Sequence, residues 1–274
     1  MPGDRRIWLC ADDYGISPSV NAAIRDLIAR ERINATSVMV VAPTFHRSEA
    51  IALGRLRRVA IGLHLTLSAP FRPLSADFSP LRDGTFLPLG GMLARAALRR
   101  LTDDALAAEV AAQIRMFVHS FDRAPDFIDG HQHVQLFPQV RDAVLAVARE
   151  MAPSAWMRQC GRAGALAGRL GDPKGLLLDA LSRGFRTRAA QAGVSTNPAF
   201  AGTYAFADGA DFAALFPRFL DSLPDGGVVM CHPGFVDAEL RRLDPLTTLR
   251  ETEYAFFAGD AFPKLLADRG VVLA

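Results

Sequence analysis

The sequence predicts an α/β fold in which a parallel sheet, covered by helices, closes into a (β/α) barrel of the TIM type. Short apolar runs of strand length alternate with longer segments whose apolar residues recur at helical spacing, the order expected of a parallel sheet. Roughly seven or eight such units fit within the 274 residues, and this number favours a barrel over an open sheet. No linker-like change of composition divides the chain, so we expect a single domain.

The predicted strands are apolar runs that end at polar or charged residues. Because most are only four to seven residues long and rich in Val, Ile and Leu, they fit strands buried on both faces of a sheet. We predict strands at residues 5–11, 35–41, 59–65, 126–129, 155–158, 228–231 and 271–273.

Capping residues and prolines mark the starts of several predicted helices. Ser17-Pro18 precedes the first helix, Thr102 caps a strongly striped helix, and Pro138 opens another. We predict helices that begin near residues 18, 46, 102, 138, 174, 211 and 250. Residues 66–100 contain several prolines and glycines without a clear period, which predicts a long loop or insertion. Residues 160–200 have only weak helical character, and we expect this region to contribute to substrate choice.

Charge and cysteine content exclude several classes of protein. The chain has 31 basic and 29 acidic side chains, and this mild balance gives no basis for nucleic-acid binding. Its three cysteines form no CxxC pair, which argues against a disulfide framework and suits a reducing compartment. Since no apolar run reaches the roughly 18 residues of a membrane span and no leader precedes the first strand, we expect a cytoplasmic protein.

Polar side chains end or follow five of the predicted strands. In a parallel barrel the carboxyl ends of all strands lie on one face, where enzymes of this fold build their active sites. Four of the six histidines and three carboxylates are therefore expected to converge there. The converging residues are Asp12, Asp13, His64, Asp129, His131, His133, Arg158 and His232.

The segment Asp129-Gly130-His131-Gln132-His133 indicates a metal site. If the chain stays extended, alternate side chains point to one side, and carboxylates and imidazoles are common ligands of transition metals. Other residues of the group have simpler interpretations. Asp12-Asp13 also fits a turn, although adjacent carboxylates favour a nearby cation or a shared proton. His64 also fits a hydrogen-bonded core histidine.

Four segments of the sequence resemble the YdjC-like carbohydrate deacetylases. They are LCADDYGISPSVNAAI, GLHLTLSAP, FIDGHQHVQLFPQV and VVMCHPGF, which run in the family's order from residue 9 to residue 235. The resemblance implies a distorted β/α barrel that hydrolyses the N-acetyl group of an amino sugar with one divalent metal ion. Matched motif to motif, it implies Asp13, His64 and His131 as metal ligands and Asp12 as the general base.

The remaining residues are given roles partly by the resemblance and partly by their own chemistry. His232 corresponds to the family's late histidine and is expected to protonate the leaving amine. Residues expected to touch substrate or to orient the metal ligands are Asp129, His133, Arg158 and Tyr14. The chain departs from the family at Gln135, where a further histidine is common, and at Tyr14, where phenylalanine is commoner.

The metal, the partners and two alternative functions remain open at this stage. Nitrogen ligands favour zinc, manganese, iron, cobalt or nickel over magnesium, without choosing among them. A small carbohydrate is the expected partner, and the resemblance is compatible with a homodimer.

The alternatives are another metal-dependent hydrolase, acting on an O-acetyl group or a phosphoester, and a non-catalytic sugar-binding barrel. Only Arg158 is obviously placed to clamp a phosphate.

Overall fold

The computed structural model describes residues 4–163, 172–207 and 209–274. In this part of the chain, parallel strands alternate with helices from the first strand to the last. The strands are β1 (Arg5–Tyr14), β2 (Ala35–Val38), β3 (Ala60–Leu65), β4 (Phe127–Gly130), β5 (Trp156–Met157), β6 (Phe200–Ala201), β7 (Gly227–Cys231) and β8 (Val271–Leu273).

The helices cover the sheet and connect its strands. They are α1 (Pro18–Ala29), α2 (Arg47–Gly54), α3 (Leu89–Ala97), α4 (Asp103–Phe121), α5 (Pro138–Met151), α6 (Pro173–Ala192), α7 (Phe212–Leu220), α8 (Ala238–Leu243), α9 (Thr248–Ala258) and α10 (Ala261–Asp268). A short 3₁₀ segment (His131–Leu136) follows β4 directly. In the described part of the chain, every helix is too short or too polar to cross a lipid bilayer.

The sheet is a half-barrel whose strands run in the order β5-β4-β3-β2-β1-β7-β6, and β8 pairs with the start of β1. Two isolated parallel bridges, Met157 with Thr196 and Arg162 with Phe200, connect the segments at its two ends. The predicted α/β class and the distorted TIM-like barrel are therefore confirmed. The carboxyl ends of β1, β3, β4 and β7 lie on the same face because all ladders are parallel.

The hydrophobic core lies within the half-barrel and between its sheet and the helices, and it includes all three cysteines. Cys10, Cys160 and Cys231 are buried and free. Burial raises the pKa of the Cys160 thiol to about 12 and raises the pKa values of the other two thiols well above the ordinary value.

Several predicted boundaries differ from the structure. The region 66–100 is not a continuous loop, because α3 forms within it and buries Met92 and Ala96. Thr102 occupies the N-cap position of α4, but its side chain makes no capping hydrogen bond. The predicted helix at 250–268 is two helices, α9 and α10, which Gly259 and Asp260 separate. Part of the predicted weakly helical region, residues 164–171, lies outside the described residues.

Candidate functional site

A bulge at the end of β1 places two adjacent carboxylates in one cavity. Ala11 pairs with Thr36 and Tyr14 with Val38, so β1 has one residue more than β2 between these pairs. Asp13 adopts a left-handed backbone conformation, with φ of 68°. In a regular strand neighbouring side chains point to opposite faces, and a bulge redirects them. Asp12 and Asp13 consequently line the same cavity, although they are neighbours on a strand.

Asp13 lies between two imidazoles. Its Oδ1 atom is 3.2 Å from Nε2 of His64, at the end of β3, and 3.1 Å from Nδ1 of His131, directly after β4. The three candidate ligand atoms lie within 4.8 Å of one another, and all three residues are buried. One carboxylate and two imidazoles, each able to offer a lone pair to the same point, form a donor set that fits a divalent transition metal.

The position of His64 supports this interpretation. Its Nδ1 atom lies 2.6 Å from Oδ1 of Asp129 and 3.0 Å from Oγ of Ser37, which leaves Nε2 directed at Asp13. A carboxylate behind the far nitrogen is the usual support of a metal-binding imidazole. Burial opposes protonation, but the charges of Asp129 and Asp12 raise the pKa of His64 to about 10. A bound cation would take the place of that proton.

Asp13, His64 and His131 form what we call the Asp-His-His cluster. The turn after β4 brings His131 to this cluster by a backbone conformation that differs from the predicted one. Gln132 and His133 both have left-handed backbone angles, with φ of 53° and 61°. The chain is therefore not extended after Gly130, and the polar residues of this segment diverge. His131 joins Asp13, Asp129 supports His64, and His133 lies with its Nδ1 3.4 Å from Sγ of Cys160.

Asp12 is held as a carboxylate by a buried arginine. Arg158 donates from Nη1 to Oδ1 at 2.7 Å and from Nη2 to Oδ2 at 2.6 Å, and its Nη1 is also 3.0 Å from Asp129. Burial opposes ionisation, but the charges of Arg158 and His64, together with the hydrogen bonds from Arg158, lower the pKa of Asp12 to about 2. Arg158 is fully buried, and Gln135 donates to its backbone oxygen at 3.0 Å. In this structure the guanidinium therefore orients two carboxylates.

His232 follows β7 and faces the same cavity as the Asp-His-His cluster. Its backbone N–H donates to Glu253 at 2.5 Å, and its ring packs edge-on against Phe206 at 5.5 Å. Burial is the main cause that lowers the pKa of this imidazole, against the pull of nearby carboxylates such as Asp13. Its Nδ1 is buried, and no hydrogen-bond partner reaches it from the described residues. The ring is therefore neutral at neutral pH and free to bind a ligand.

Sequence reasoning missed two residues of the site, Arg250 and Glu253, both on α9. Arg250 donates from Nη2 to Oδ2 of Asp13 at 2.6 Å and to Asp244 at 3.2 Å. Burial opposes ionisation of Asp13, but Arg250 and the two histidines hold the pKa of Asp13 well below its usual range. A signal was present, because Arg250 and Glu253 fall on the same buried face as Leu249 and Phe257. A charged pair within an apolar helical stripe indicates a buried polar partner.

The cavity in front of these residues has a volume of about 440 Å³. Of the residues described above, those that line its polar wall include Asp12, Asp13, His64, His131, His133, His232, Asp244 and Arg250. Its apolar wall comes mainly from α3, α6 and the loop after β6. The apolar residues are Leu89, Leu93, Phe137, Leu177, Leu178, Leu181, Phe206, Met230 and Leu246. Tyr14 lies away from this lining, since its hydroxyl donates to Glu49 and accepts from Arg25 at 2.8 Å.

Comparison with known proteins gives a consistent assignment across nearly the whole chain. A family model described as YdjC-like protein matches residues 6–268. The chain is 26% identical over 272 residues to a chitooligosaccharide deacetylase of Citrobacter koseri, covering 97% of this chain and 96% of that protein. It is 30% identical over 243 residues to a chitooligosaccharide deacetylase of Klebsiella pneumoniae, covering 85% and 83% of the two chains.

The fold also matches a solved structure. A crystal structure of a candidate cellobiose-phosphate cleavage protein from Enterococcus faecalis V583 superposes with a TM-score of 0.73 at 22% identity. The match covers 99% of this chain and 97% of that one. At this identity the likeness establishes the fold alone.

Proposed function

The chain belongs to the YdjC-like protein family, and from this premise we propose that it is a metal-dependent carbohydrate deacetylase. The reaction is the hydrolysis of an N-acetyl group on an amino sugar or oligosaccharide. The observation that carries the proposal is the convergence of Asp13, His64 and His131 beside an Arg-paired Asp12 in one cavity. The names of the Citrobacter and Klebsiella relatives support the choice of an N-acetylated sugar.

Asp13, His64 and His131 would hold the divalent cation. When bound there, such a cation polarises a carbonyl group and lowers the pKa of water. Asp129 and Ser37 keep the His64 ring in the orientation that presents Nε2. This donor set favours a transition metal over magnesium because two of its three atoms are nitrogens.

Asp12 is the residue that accepts the proton of the attacking water. Arg158 keeps it ionised at neutral pH and holds both of its oxygens in a fixed plane. Arg158 thus acts through Asp12, as a positioning residue.

His232 delivers a proton to the leaving nitrogen, which is too basic to depart as an anion. It faces the cavity from the end of β7 and is neutral before the reaction, so it first takes up the proton that Asp12 removes from water. Its lowered pKa then makes the imidazolium a ready proton donor. One proton of the water thus reaches the nitrogen by way of Asp12 and His232. The OH group joins the acetyl carbon to give acetic acid, and its ionisation to acetate releases the second proton.

The test measures acetate release from N-acetylated and O-acetylated sugars, and phosphate release from phosphorylated sugars, with divalent metal and with a chelator. We expect chelator-sensitive acetate release from an N-acetyl sugar. Release only from O-acetyl or phosphorylated sugars would replace the proposal by one of the other hydrolases. A metal-loaded, folded protein that binds these sugars without turning any over would indicate a non-catalytic sugar-binding barrel.

A variant series ties the activity to the cluster. His64→Ala should reduce bound metal to background and abolish acetate release, because one of three ligands is lost. His119→Ala is the matched control, since His119 is an exposed histidine on α4. Full metal content and activity in His64→Ala would rule out this metal centre.

A further inference from the structure

The loop after β6 forms part of the cavity wall, and a glycine fixes its position. Gly202 has φ of 105°, and a Cβ atom there would lie 2.1 Å from the backbone oxygen of Met230 on β7. The loop therefore approaches β7 more closely than any other residue type permits. Thr203, the next residue, lines the cavity that contains the Asp-His-His cluster.

Glu253 fastens this loop to the rest of the site. The Tyr204 hydroxyl donates to Oε1 of Glu253 at 2.7 Å, and Oε2 of the same carboxyl accepts from the backbone N–H of His232. Arg250 lies three residues before Glu253 on α9, so both side chains leave the same face of the helix. The hydrogen bonds of Glu253 thus tie the loop that carries Thr203 to α9, the helix that carries Arg250.

Thr203 and Arg250 each have a buried polar atom that makes no hydrogen bond within the described protein. Within the described ranges, neither Oγ1 of Thr203 nor Nη1 of Arg250 has a hydrogen-bond partner. Buried polar groups in folded proteins are nearly always paired, and an exception calls for an explanation. Both residues line the substrate cavity, so a ligand in that cavity is the natural partner.

The charges around these atoms indicate what kind of ligand group they bind. The Arg250 guanidinium already faces Asp13 at 2.6 Å and Asp244 at 3.2 Å, so its positive charge is offset. Asp244 also lines the cavity and would repel an anion. The cation Lys174 at the rim is exposed and screened by water. The remaining N–H of Arg250 and the Thr203 hydroxyl therefore suit a neutral oxygen.

Resting on the proposed function, we propose that Thr203, Arg250 and Asp244 form a subsite for the uncharged hydroxyl groups of the sugar. Arg250 donates through Nη1, Asp244 accepts, and Thr203 does either. The subsite selects neutral amino sugars over those that carry a phosphate or a carboxylate at this position. Thr203 and Asp244 are assigned here as specificity-determining residues.

The first test replaces one hydroxyl by a methyl group of similar shape. Thr203→Val should weaken binding of N,N′-diacetylchitobiose to chelator-treated protein, measured by calorimetry, by about 3- to 10-fold, the worth of one neutral hydrogen bond. With metal restored, kcat/KM for the same sugar should fall by a similar factor. The melting temperature should not fall, because no hydrogen bond of the described protein is lost.

Two controls separate substrate binding from structure. Thr252→Val removes an exposed hydroxyl on α9 that bonds only weakly to Thr248, at 3.5 Å, and should leave binding unchanged. Thr36→Val removes a buried hydroxyl that donates to Ala11 at 2.7 Å, and should lower the melting temperature. If Thr203→Val behaves like Thr36→Val, or binds the sugar as well as wild type, the subsite is not as proposed.

The second test concerns charge selection. Asp244→Asn should raise the affinity for N-acetylglucosamine 6-phosphate relative to diacetylchitobiose by at least about tenfold, since a like charge is removed. An unchanged ratio, or a wild-type protein that prefers the phosphorylated sugar or binds neither probe, would overturn the proposal.

The experiments also separate failure of the subsite from failure of the proposed function. If Thr203→Val weakens sugar binding but the wild type releases no acetate, the proposed function is contradicted and the subsite stands. Acetate release at the same rate from wild type and Thr203→Val would contradict the subsite and leave the proposed function standing.

Discussion

Asp13 makes contacts through both of its carboxylate oxygens, and the two sets of contacts differ in kind. Oδ1 faces the imidazoles of His64 and His131, whereas Oδ2 accepts from Arg250 at 2.6 Å. One oxygen is therefore available to a cation while the other is tied to a helix that is distant in the sequence. The orientation of a candidate metal ligand thus depends on α9 as well as on β1.

Glu253 gives a residue-scale prediction about pH. Burial raises its pKa from 4.5 to about 7, against hydrogen bonds from Tyr204 and His232 that favour the charged form. A carboxyl whose pKa is raised on folding contributes its stability below pH 4.5 and loses it as pH rises through 7. Relative to Glu253→Gln, the free energy of unfolding of wild type should fall by about 3 kcal/mol over that range.

Urea denaturation of both proteins from pH 4.5 to 8 measures this difference, because groups common to both proteins cancel. Parallel pH profiles would mean that Glu253 keeps an ordinary pKa in the folded protein.

At the scale of elements, β3 and β4 carry His64 and Asp129 side by side, and their spacing depends on a glycine. A Cβ atom at Gly62 would lie 2.4 Å from the ring of Phe127, which itself stacks on Trp156 at 4.6 Å. His64 and Asp129 are paired in the ladder between β3 and β4. A shift of either strand would therefore change the distance between the histidine and the carboxylate that supports it.

Gly62→Ala should therefore destabilise the protein by about 1–3 kcal/mol through overpacking. Phe127→Ala should cost about 3–5 kcal/mol through the cavity that it leaves. In the double variant the added methyl group enters that cavity, so the two costs should fall short of their sum by at least about 1 kcal/mol. Denaturation midpoints of the four proteins test this coupling, and strictly additive costs would contradict it.

The elements that the sequence predicts correctly are those with a strong local signal. Ser17-Pro18 and Pro138 mark the starts of α1 and α5, and apolar runs mark most strands. By contrast, α3 opens with Leu89-Gly90-Gly91, a poor helical sequence that packing against α5 and the 3₁₀ segment stabilises. The strand β6 has only two residues and depends on its pairing with β7.

The same distinction applies to the candidate site. The residues proposed as ligands and base follow strands of a parallel sheet, so topology alone predicts that they lie on one face. Arg250 and Glu253 lie on a helix, and Thr203 lies in a loop, where no strand end marks them. The apolar helical stripe marks Arg250 and Glu253 as residues with buried polar partners, but it does not identify those partners. Only the fold does so, because Asp13 and Tyr204 are 237 and 49 residues away in the sequence.

At the scale of the whole molecule, the side chains of Asn197 and Gln159 join the two ends of the half-barrel in addition to the two backbone bridges. Asn197 accepts from the backbone N–H of Gln159 at 2.8 Å and donates to the backbone oxygens of Gln159 and Ala199 at 3.1 and 2.8 Å. It thereby replaces ladder hydrogen bonds between β5 and β6, which are too short to pair fully. Asn197 therefore helps to hold together the seam between the two ends of the half-barrel.

Asn197→Ala should leave buried backbone groups at Gln159 without partners and open this seam first. Hydrogen exchange should accelerate at residues 159–161 and 197–200 while β1, β2 and β3 stay protected. Thr187→Ala is the control, because this exposed threonine on α6 bonds only to its own helix at Arg183. Equal acceleration over the whole sheet would mean that the barrel opens as one unit.

The burial of Cys10, Cys160 and Cys231 has a chemical consequence for the folded protein. Oxidants and alkylating reagents attack the thiolate, and these three side chains are both inaccessible and held in the thiol form. Peroxide can therefore reach the sulfur atoms only after the barrel has opened. Resistance to oxidative damage is in this way governed by the free energy of opening, and any change that loosens the half-barrel shortens the protein's lifetime under oxidising conditions.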